Sequence, residues 1–305
     1  MRNAFARVMT ELSQERSDVC LLSGDIGNRM FDRYKEVAPT RFLNCGIAEA
    51  NMMSMAAGMA LSGLRSVVYT IAPFTTTRCL EQIRTGVAYH EAPVVIVGTG
   101  SGLSYAELGA THHSLEDLAI LRSIPNLQVC APADSLELEA QLRQAIAESQ
   151  PTYIRIGKKG EPDLLADHAP LGIGKANLLR QGKKILLLGI GPILSEALEA
   201  RATLEQQGIQ LAIASMGSIK PLDHHFLQQC VAEDYSHWIS LEEHHQTGGL
   251  GSALLEWLSN QQINTIALKR MGIGDHFVHQ LGAQSYVRET EGLNAVAIAN
   301  LVQSL

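Results

Sequence analysis

Short runs of aliphatic and β-branched residues alternate along the chain with longer segments whose apolar positions recur every three or four residues. Residues 19–23, 66–71, 94–98, 128–131 and 153–156 are too short for helices and largely apolar, which predicts strands buried on both faces, as in a parallel sheet under helices. Between them, 48–61, 78–88 and 135–147 join helical periodicity to strong helix formers, and 1–12 mixes Arg2, Arg7 and Glu11 into a helical pattern. Buried strands alternating with helices predict one doubly wound, parallel-sheet α/β domain over residues 1–162.

After Ile156 the pattern breaks. Gly157-Lys158-Lys159-Gly160-Glu161-Pro162 leads into a polar, weakly periodic stretch, so residues 163–182 are predicted as a linker between domains. A smaller α/β domain is predicted over 183–305, with strands at 184–188, 210–214, 238–241 and 265–268. Pro192 is placed to be the first residue of a helix running to Gln206.

Composition narrows the classes. The chain has 305 residues, 46% hydrophobic and 18% charged, and can bury enough apolar surface for two cores. A formal net charge of −7 argues against a nucleic-acid surface, which needs clustered Lys and Arg to replace counterions. Cys20, Cys45, Cys79, Cys130 and Cys230 are far apart and form no C-x-x-C pair, the usage of reduced thiols. Neither a bilayer-spanning run nor the apolar region of a signal peptide is found, so no membrane and a cytoplasmic location are expected.

The chemistry centres on Asn44-Cys45-Gly46-Ile47-Ala48-Glu49-Ala50-Asn51-Met52. Alone, a glutamate at a helix start offsets the helix dipole. Here the segment resembles the G-I-x-E motif of the pyrimidine-binding domain shared by transketolases and deoxyxylulose-phosphate synthases. The resemblance continues through Ile71-Ala72-Pro73-Phe74-Thr75-Thr76-Thr77-Arg78, Glu81-Gln82-Ile83-Arg84 and Gly109-Ala110-Thr111-His112-His113-Ser114. It resumes at Ala131-Pro132-Ala133-Asp134 and at Leu241-Glu242-Glu243-His244 ahead of Gly248-Gly249-Leu250-Gly251. Several matches in one order are far more specific than any single one.

The resemblance implies a thiamine-diphosphate-binding fold followed by a transketolase C-terminal domain. It implies that Glu49 hydrogen-bonds N1′ of the cofactor's aminopyrimidine, where a carboxyl favours the imino tautomer whose nitrogen takes the C2 proton. Phe74 matches the aromatic residue stacked on the pyrimidine, with Arg78 in the same cofactor-binding segment, and Asp25 matches an aspartate close to the thiazolium. Read by themselves, Phe74 is equally a core residue and Asp25 a strand-end turn residue. His112 matches a histidine facing the reacting carbon, a task suited to imidazole because its pKa lies near working pH. His113, Arg2, Arg29 and Lys158 complete the implied substrate-binding set, the last three for phosphate. Lys158 replaces an arginine and Arg29 a serine, so a point charge stands where a bidentate fork is usual. Leu108 stands where the family has an aspartate touching the donor's hydroxyls, with Glu107 beside it, and Gly100 and Ser101 stand where a histidine or arginine is expected.

The family's diphosphate-binding domain carries a G-D-G motif and a later asparagine that hold Mg²⁺. Segment 24–28, Gly24-Asp25-Ile26-Gly27-Asn28, lacks the second glycine directly after the aspartate. Gly189-Ile190-Gly191 fails the dinucleotide fingerprint at Leu194, and the adjacent pairs His224-His225 and His244-His245 do not have zinc spacing, so this chain is assigned no metal site. The resemblance therefore implies that Mg²⁺ ligands lie on a partner, the diphosphate-binding N-terminal transketolase subunit. This chain would form a homodimer within an α2β2 heterotetramer. The implied reaction transfers a two-carbon ketol unit from a sugar phosphate or related ketose to an aldehyde. The alternatives are a deoxyxylulose-phosphate-synthase-like decarboxylating enzyme, a 2-oxo acid dehydrogenase beta subunit, and a non-catalytic scaffold subunit.

Overall fold

The computed structural model describes residues 1–27, 29–165 and 170–305; Asn28 of segment 24–28 and residues 166–169 of the expected linker lie outside the described residues. The first half runs α1 (Arg2–Glu15), β1 (Val19–Ser23), α2 (Asp32–Val37), β2 (Phe42–Asn44), α3 (Glu49–Leu61), β3 (Arg65–Ile71), α4 (Ala72–Thr75), β4 (Val94–Thr99), α5 (Asp117–Arg122), β5 (Gln128–Cys130), α6 (Ser135–Ala147) and β6 (Thr152–Ile156). Every residue of β1, β4 and β6 is buried, as strands covered on both faces must be. The short edge strand β2 is partly to fully exposed and leaves no apolar run to read.

The segment expected as a plain helix over 78–88 is irregular, a 3₁₀ turn at Thr77–Cys79 followed by π-helix at Gln82–Ala88. The Thr85 hydroxyl donates to the Glu81 carbonyl at 2.7 Å, a local competitor that loosens the i→i−4 ladder, and Tyr89 N–H closes on the Arg84 carbonyl at 3.0 Å.

The second half runs β7 (Asn177–Arg180), β8 (Lys184–Ile190), α7 (Leu194–Glu205), β9 (Ala212–Ser215), β10 (Ser218–Lys220), α8 (His224–Ala232), β11 (Tyr235–His245), α9 (Leu250–Asn260), β12 (Ala267–Ile273), α10 (Gln284–Thr290) and α11 (Ala295–Gln303). Pro192 does not open α7; Gly191, at φ +82°, and Pro192 make a turn before Leu194 starts the helix. Strand β7 lies within 163–182 and pairs antiparallel with β9.

The first sheet has the order β10-β5-β6-β4-β3-β1-β2 and the second β12-β11-β8-β9-β7. All pairings are parallel except β10 with β5 and β7 with β9. Strand β10, from the second half, closes the edge of the first sheet with Ser218 opposite Cys130. One apolar cluster runs from Leu22, Met53 and Ile96 to Leu188 and Trp238, so the halves share a core. At this seam the buried Glu137 accepts from Ala133 N–H at 2.6 Å, Asn177 Nδ2 at 2.7 Å and Ser215 Oγ at 2.9 Å. Burial pushes its pKa up to about 7 against these donors.

Candidate active site

Parallel strands gather the loops that follow them at one edge of the sheet, and two such loops are tied together here. Asp25, past the end of β1, donates its N–H to the Gly46 carbonyl at 2.9 Å, and Asn44 Nδ2 donates to Asp25 Oδ1 at 3.1 Å. From Gly46 the chain enters α3 at Glu49, which is 5% exposed and followed by the fully buried Met52 and Met53. These two methionines belong to the core, and Met55 is exposed.

Glu49 Oε2 accepts from Arg78 Nη1 at 3.0 Å. The Arg78 guanidinium lies 4.0 Å from the centre of the Phe74 ring, a cation–π contact. Phe74 meets His112 edge-on at 5.2 Å between centroids, and His112 meets Tyr105 at 5.9 Å. Over Tyr105, at 4.4 Å, sits the ammonium of Lys158, which is ion-paired with Glu107. Helix α3, the segment after β3, the loop 100–114 and the end of β6 thus place Glu49, Arg78, Phe74, His112, Tyr105, Lys158 and Glu107 in one continuous strip of contacts.

The other expected residues fall elsewhere. Asp25 is exposed and touches the loop leading to Glu49. Arg29 is exposed, and Arg2 is partly buried beside Tyr69, whose phenol burial pushes up and the Arg2 charge pulls down. Among the described residues no hydrogen bond or ion pair joins Arg2 or Arg29 to His112. His113 is 4% exposed and lines a cavity of about 340 Å³ with Pro73, Thr76 and Asp117; among the described residues its ring nitrogens make no well-formed hydrogen bond.

Burial first, and then the charge of Arg78, hold the His112 pKa below its ordinary value, while Glu107 acts in the opposite sense. Thr111 Oγ1 lies 2.9 Å from His112 Nδ1, which leaves Nε2 to exchange a proton.

The loop 100–114 that carries His112 is fixed from below. Ser114 N–H bonds the Gly102 carbonyl at 3.0 Å, and the Ser114 carbonyl accepts from Arg155 Nη1 at 3.0 Å. Arg155 is fully buried; the same nitrogen reaches Asp117 Oδ1 at 3.1 Å and the Glu243 carbonyl of the second domain at 3.4 Å. Tyr153 donates to the other Asp117 oxygen at 2.6 Å. Two residues here escaped the sequence reading. Arg155 had a signal, an arginine inside a buried strand. Tyr105 had none: its ring fills the space beside Gly100, where a Cβ would come within 2.3 Å of it. That packing explains why no larger side chain stands at position 100.

The transketolase pyrimidine-binding domain family matches residues 1–161, and the transketolase C-terminal domain family matches residues 174–289. One of the subunits of an apulose-4-phosphate transketolase from Phocaeicola vulgatus is 32% identical over 304 residues, covering 97% of this chain and 96% of that one. A 1-deoxy-D-xylulose-5-phosphate synthase of Syntrophus aciditrophicus is 35% identical over 274 residues, 89% of this chain but 42% of that longer one. Among solved structures, a split gene transketolase described as an inactive beta4 tetramer matches with a TM-score of 0.90 and 32% identity, over 99% of this chain and 97% of that one. With both halves matched and the apulose-4-phosphate transketolase subunit covered nearly end to end, the chain belongs to the transketolase family, as the section carrying the pyrimidine-binding and C-terminal domains.

Proposed function

We propose that the chain is the pyrimidine-side subunit of a thiamine-diphosphate-dependent transketolase that moves a two-carbon ketol unit from a ketose to an aldehyde. The observation that carries this reading is Glu49, a carboxylate 5% exposed at the head of α3, in line with Phe74 and His112. These residues fit the pyrimidine end of the cofactor. Glu49 Oε2 is engaged by Arg78 while no described group donates to Oε1, and an aromatic ring lies close by.

When bound, thiamine diphosphate supplies the carbon nucleophile that opens the bond beside the ketose carbonyl. Glu49, kept in place by Arg78 at Oε2, would hydrogen-bond N1′ of the aminopyrimidine through Oε1. Phe74 takes the pyrimidine face by stacking. His112 Nε2 moves a proton to or from the substrate oxygen at the reacting carbon, and a neutral imidazole with a lowered pKa suits the basic half of that task. Asp25, tied to the loop that leads into Glu49, balances charge near the thiazolium. Arg2 and Arg29 join the substrate set in the assembled complex.

The diphosphate and Mg²⁺ site falls to a partner subunit in an α2β2 heterotetramer located in the cytoplasm. Ile47, two residues before Glu49, is 87% exposed, and Leu43 and Met55 nearby are exposed too. Apolar surface beside a site suits burial between subunits. The split gene relative described as an inactive tetramer supports the need for a partner.

The test is Glu49→Gln in the complex co-expressed with its partner. Loss of turnover is expected; unchanged turnover would leave only the scaffold reading. The 35% identity to a deoxyxylulose-phosphate synthase favours a second reading, decarboxylation of pyruvate. Ketol transfer releases an aldehyde from a ketose phosphate and no CO₂ from pyruvate, so assays with each donor separate the two.

A further inference from the structure

The cation nearest Tyr105 and His112 on the β6 side is already neutralised. The Lys158 ammonium is bracketed by the Tyr105 ring, 4.4 Å away, and by the Glu107 carboxylate with which it is ion-paired. The hydrogen bond from Lys158 holds the Glu107 carboxyl below the usual carboxylate range. The pair belongs to the same neighbourhood as His112, whose pKa Glu107 raises and whose ring packs against Tyr105. Next to Glu107, Leu108 is 48% exposed, and the following Gly109 has its Cβ direction covered by Leu281 at 3.3 Å, itself 59% exposed. One acid and the base paired with it therefore cancel each other's charge beside His112, and Leu281 packs at the nearby Gly109.

An arginine at position 158 could bind a carboxylate and keep further donors free, because a guanidinium has five in a fixed fork. Lysine is a compact charge that one carboxylate largely satisfies. A phosphate dianion placed on Lys158 has to share that single charge with Glu107 and lie against the carboxylate's own negative charge. A sugar hydroxyl can accept from Lys158 and donate to Glu107 at once, with no charge to repel.

We infer that Glu107 is a specificity-determining residue: by masking Lys158 it makes this subunit select a ketose that presents hydroxyls, rather than a phosphate, at Lys158. The inference rests on the transketolase reading and names the substrate class that the site takes.

The test compares D-xylulose with D-xylulose 5-phosphate as donors, glycolaldehyde being the uncharged acceptor, in the complex with its partner subunit. Glu107→Gln is expected to move the ratio of kcat/KM values about tenfold toward the phosphate ester, and inorganic phosphate is expected to inhibit the variant at about tenfold lower concentration. Adding Lys158→Gln to that variant is expected to cancel both changes. An unmoved ratio overturns the inference, and so does a shift toward the free sugar, the result if Glu107 served to aim Lys158 at phosphate. Turnover of neither donor by the wild-type complex overturns the transketolase reading as well, whereas turnover with an unmoved ratio overturns this inference alone.

Discussion

Arg78 Nη1 donates to Glu49 Oε2 at 3.0 Å, and the two side chains differ sharply in exposure, 48% against 5%. The buried partner is the one proposed to meet the cofactor, and the exposed one also caps the Phe74 ring. One guanidinium therefore sets the position of both groups that would grip the pyrimidine.

Arg78→Met should leave the Glu49 carboxylate buried without its donor. Losing one partner of a buried charged hydrogen bond costs about 1–3 kcal/mol, and the exposure of Arg78 puts this case at the low end. A melting temperature lower by a few degrees and a thiamine diphosphate affinity weakened about tenfold in the assembled complex are expected. Thermal unfolding and cofactor titration measure the two separately, and an unchanged titration would contradict the role given to Arg78.

The pH dependence of His112 has a definite sign. Its pKa is held below the ordinary 6.5 by burial and by Arg78, so the acid limb of kcat/KM should lie below pH 6.5. Arg78→Gln removes a repelling positive charge and should move the limb upward. Glu107→Gln removes an attracting negative charge and should move it downward. Profiles of kcat/KM between about pH 5 and 8 decide this, and shifts in the same direction would remove His112 as the titrating group.

How much of this was legible in sequence differs between fold and site. The buried strands β1 and β4 announce themselves because both faces are covered and nearly every position is apolar, while β3 and β6 are read from their β-branched and aromatic residues despite Arg65, Ser66, Thr152 and Arg155. Strands β2 and β10, three residues each at sheet edges, leave no such trace. Glu49, Phe74 and His112 could be singled out because several family motifs follow one another in a fixed order along the chain, and the fold links the three through Arg78 and ring contacts. Tyr105 was not, because its place depends on the empty space beside Gly100, a relation that only folding creates. The irregular course of 77–88 was also hidden, since apolar spacing alone does not separate an α-helix from a π-helix.

Glu137 should make the seam between the halves sensitive to pH. Its folded pKa of about 7 lies above the ordinary 4.5, so its protonated form is favoured by folding. The contribution is fully present below pH 4.5 and is lost as pH rises through about 7, by roughly 3 kcal/mol at most. Glu137→Gln carries no proton to lose, so its melting temperature relative to wild type should rise between pH 5 and 8. Glu242, also raised to about 7, is common to both proteins and cancels in the difference.

Ile47 tests the assembly without touching the chemistry directly. An isoleucine 87% exposed contributes nothing to the core of the isolated chain, so Ile47→Asp should leave its folding intact. Burying that charge between subunits without a partner is unfavourable by several kcal/mol, enough to weaken association a hundredfold or more. Light scattering on the co-purified subunits should show dissociated chains for the variant, and an unchanged mass would place the interface elsewhere.

Arg155 joins the loop of His112 to the rest of the molecule, and its removal should be felt in two ways. Arg155→Met leaves Asp117, 2% exposed, without its counter-charge, and breaking a buried pair from one side costs about 3–5 kcal/mol. Denaturant unfolding should show that loss, and Asp117→Asn in the same chain should recover part of it because the orphaned charge is gone. Arg155→Lys keeps the charge but has no planar fork, so one nitrogen has to choose between Asp117 and the carbonyls of Ser114 and Glu243. Its folding should suffer less, while kcat falls with the loosened Ser114 carbonyl and the neighbouring His112. If kcat stayed at the wild-type value in a folded Arg155→Lys complex, the guanidinium would serve stability alone and the position of His112 would have to be set by Phe74 and Tyr105 without it.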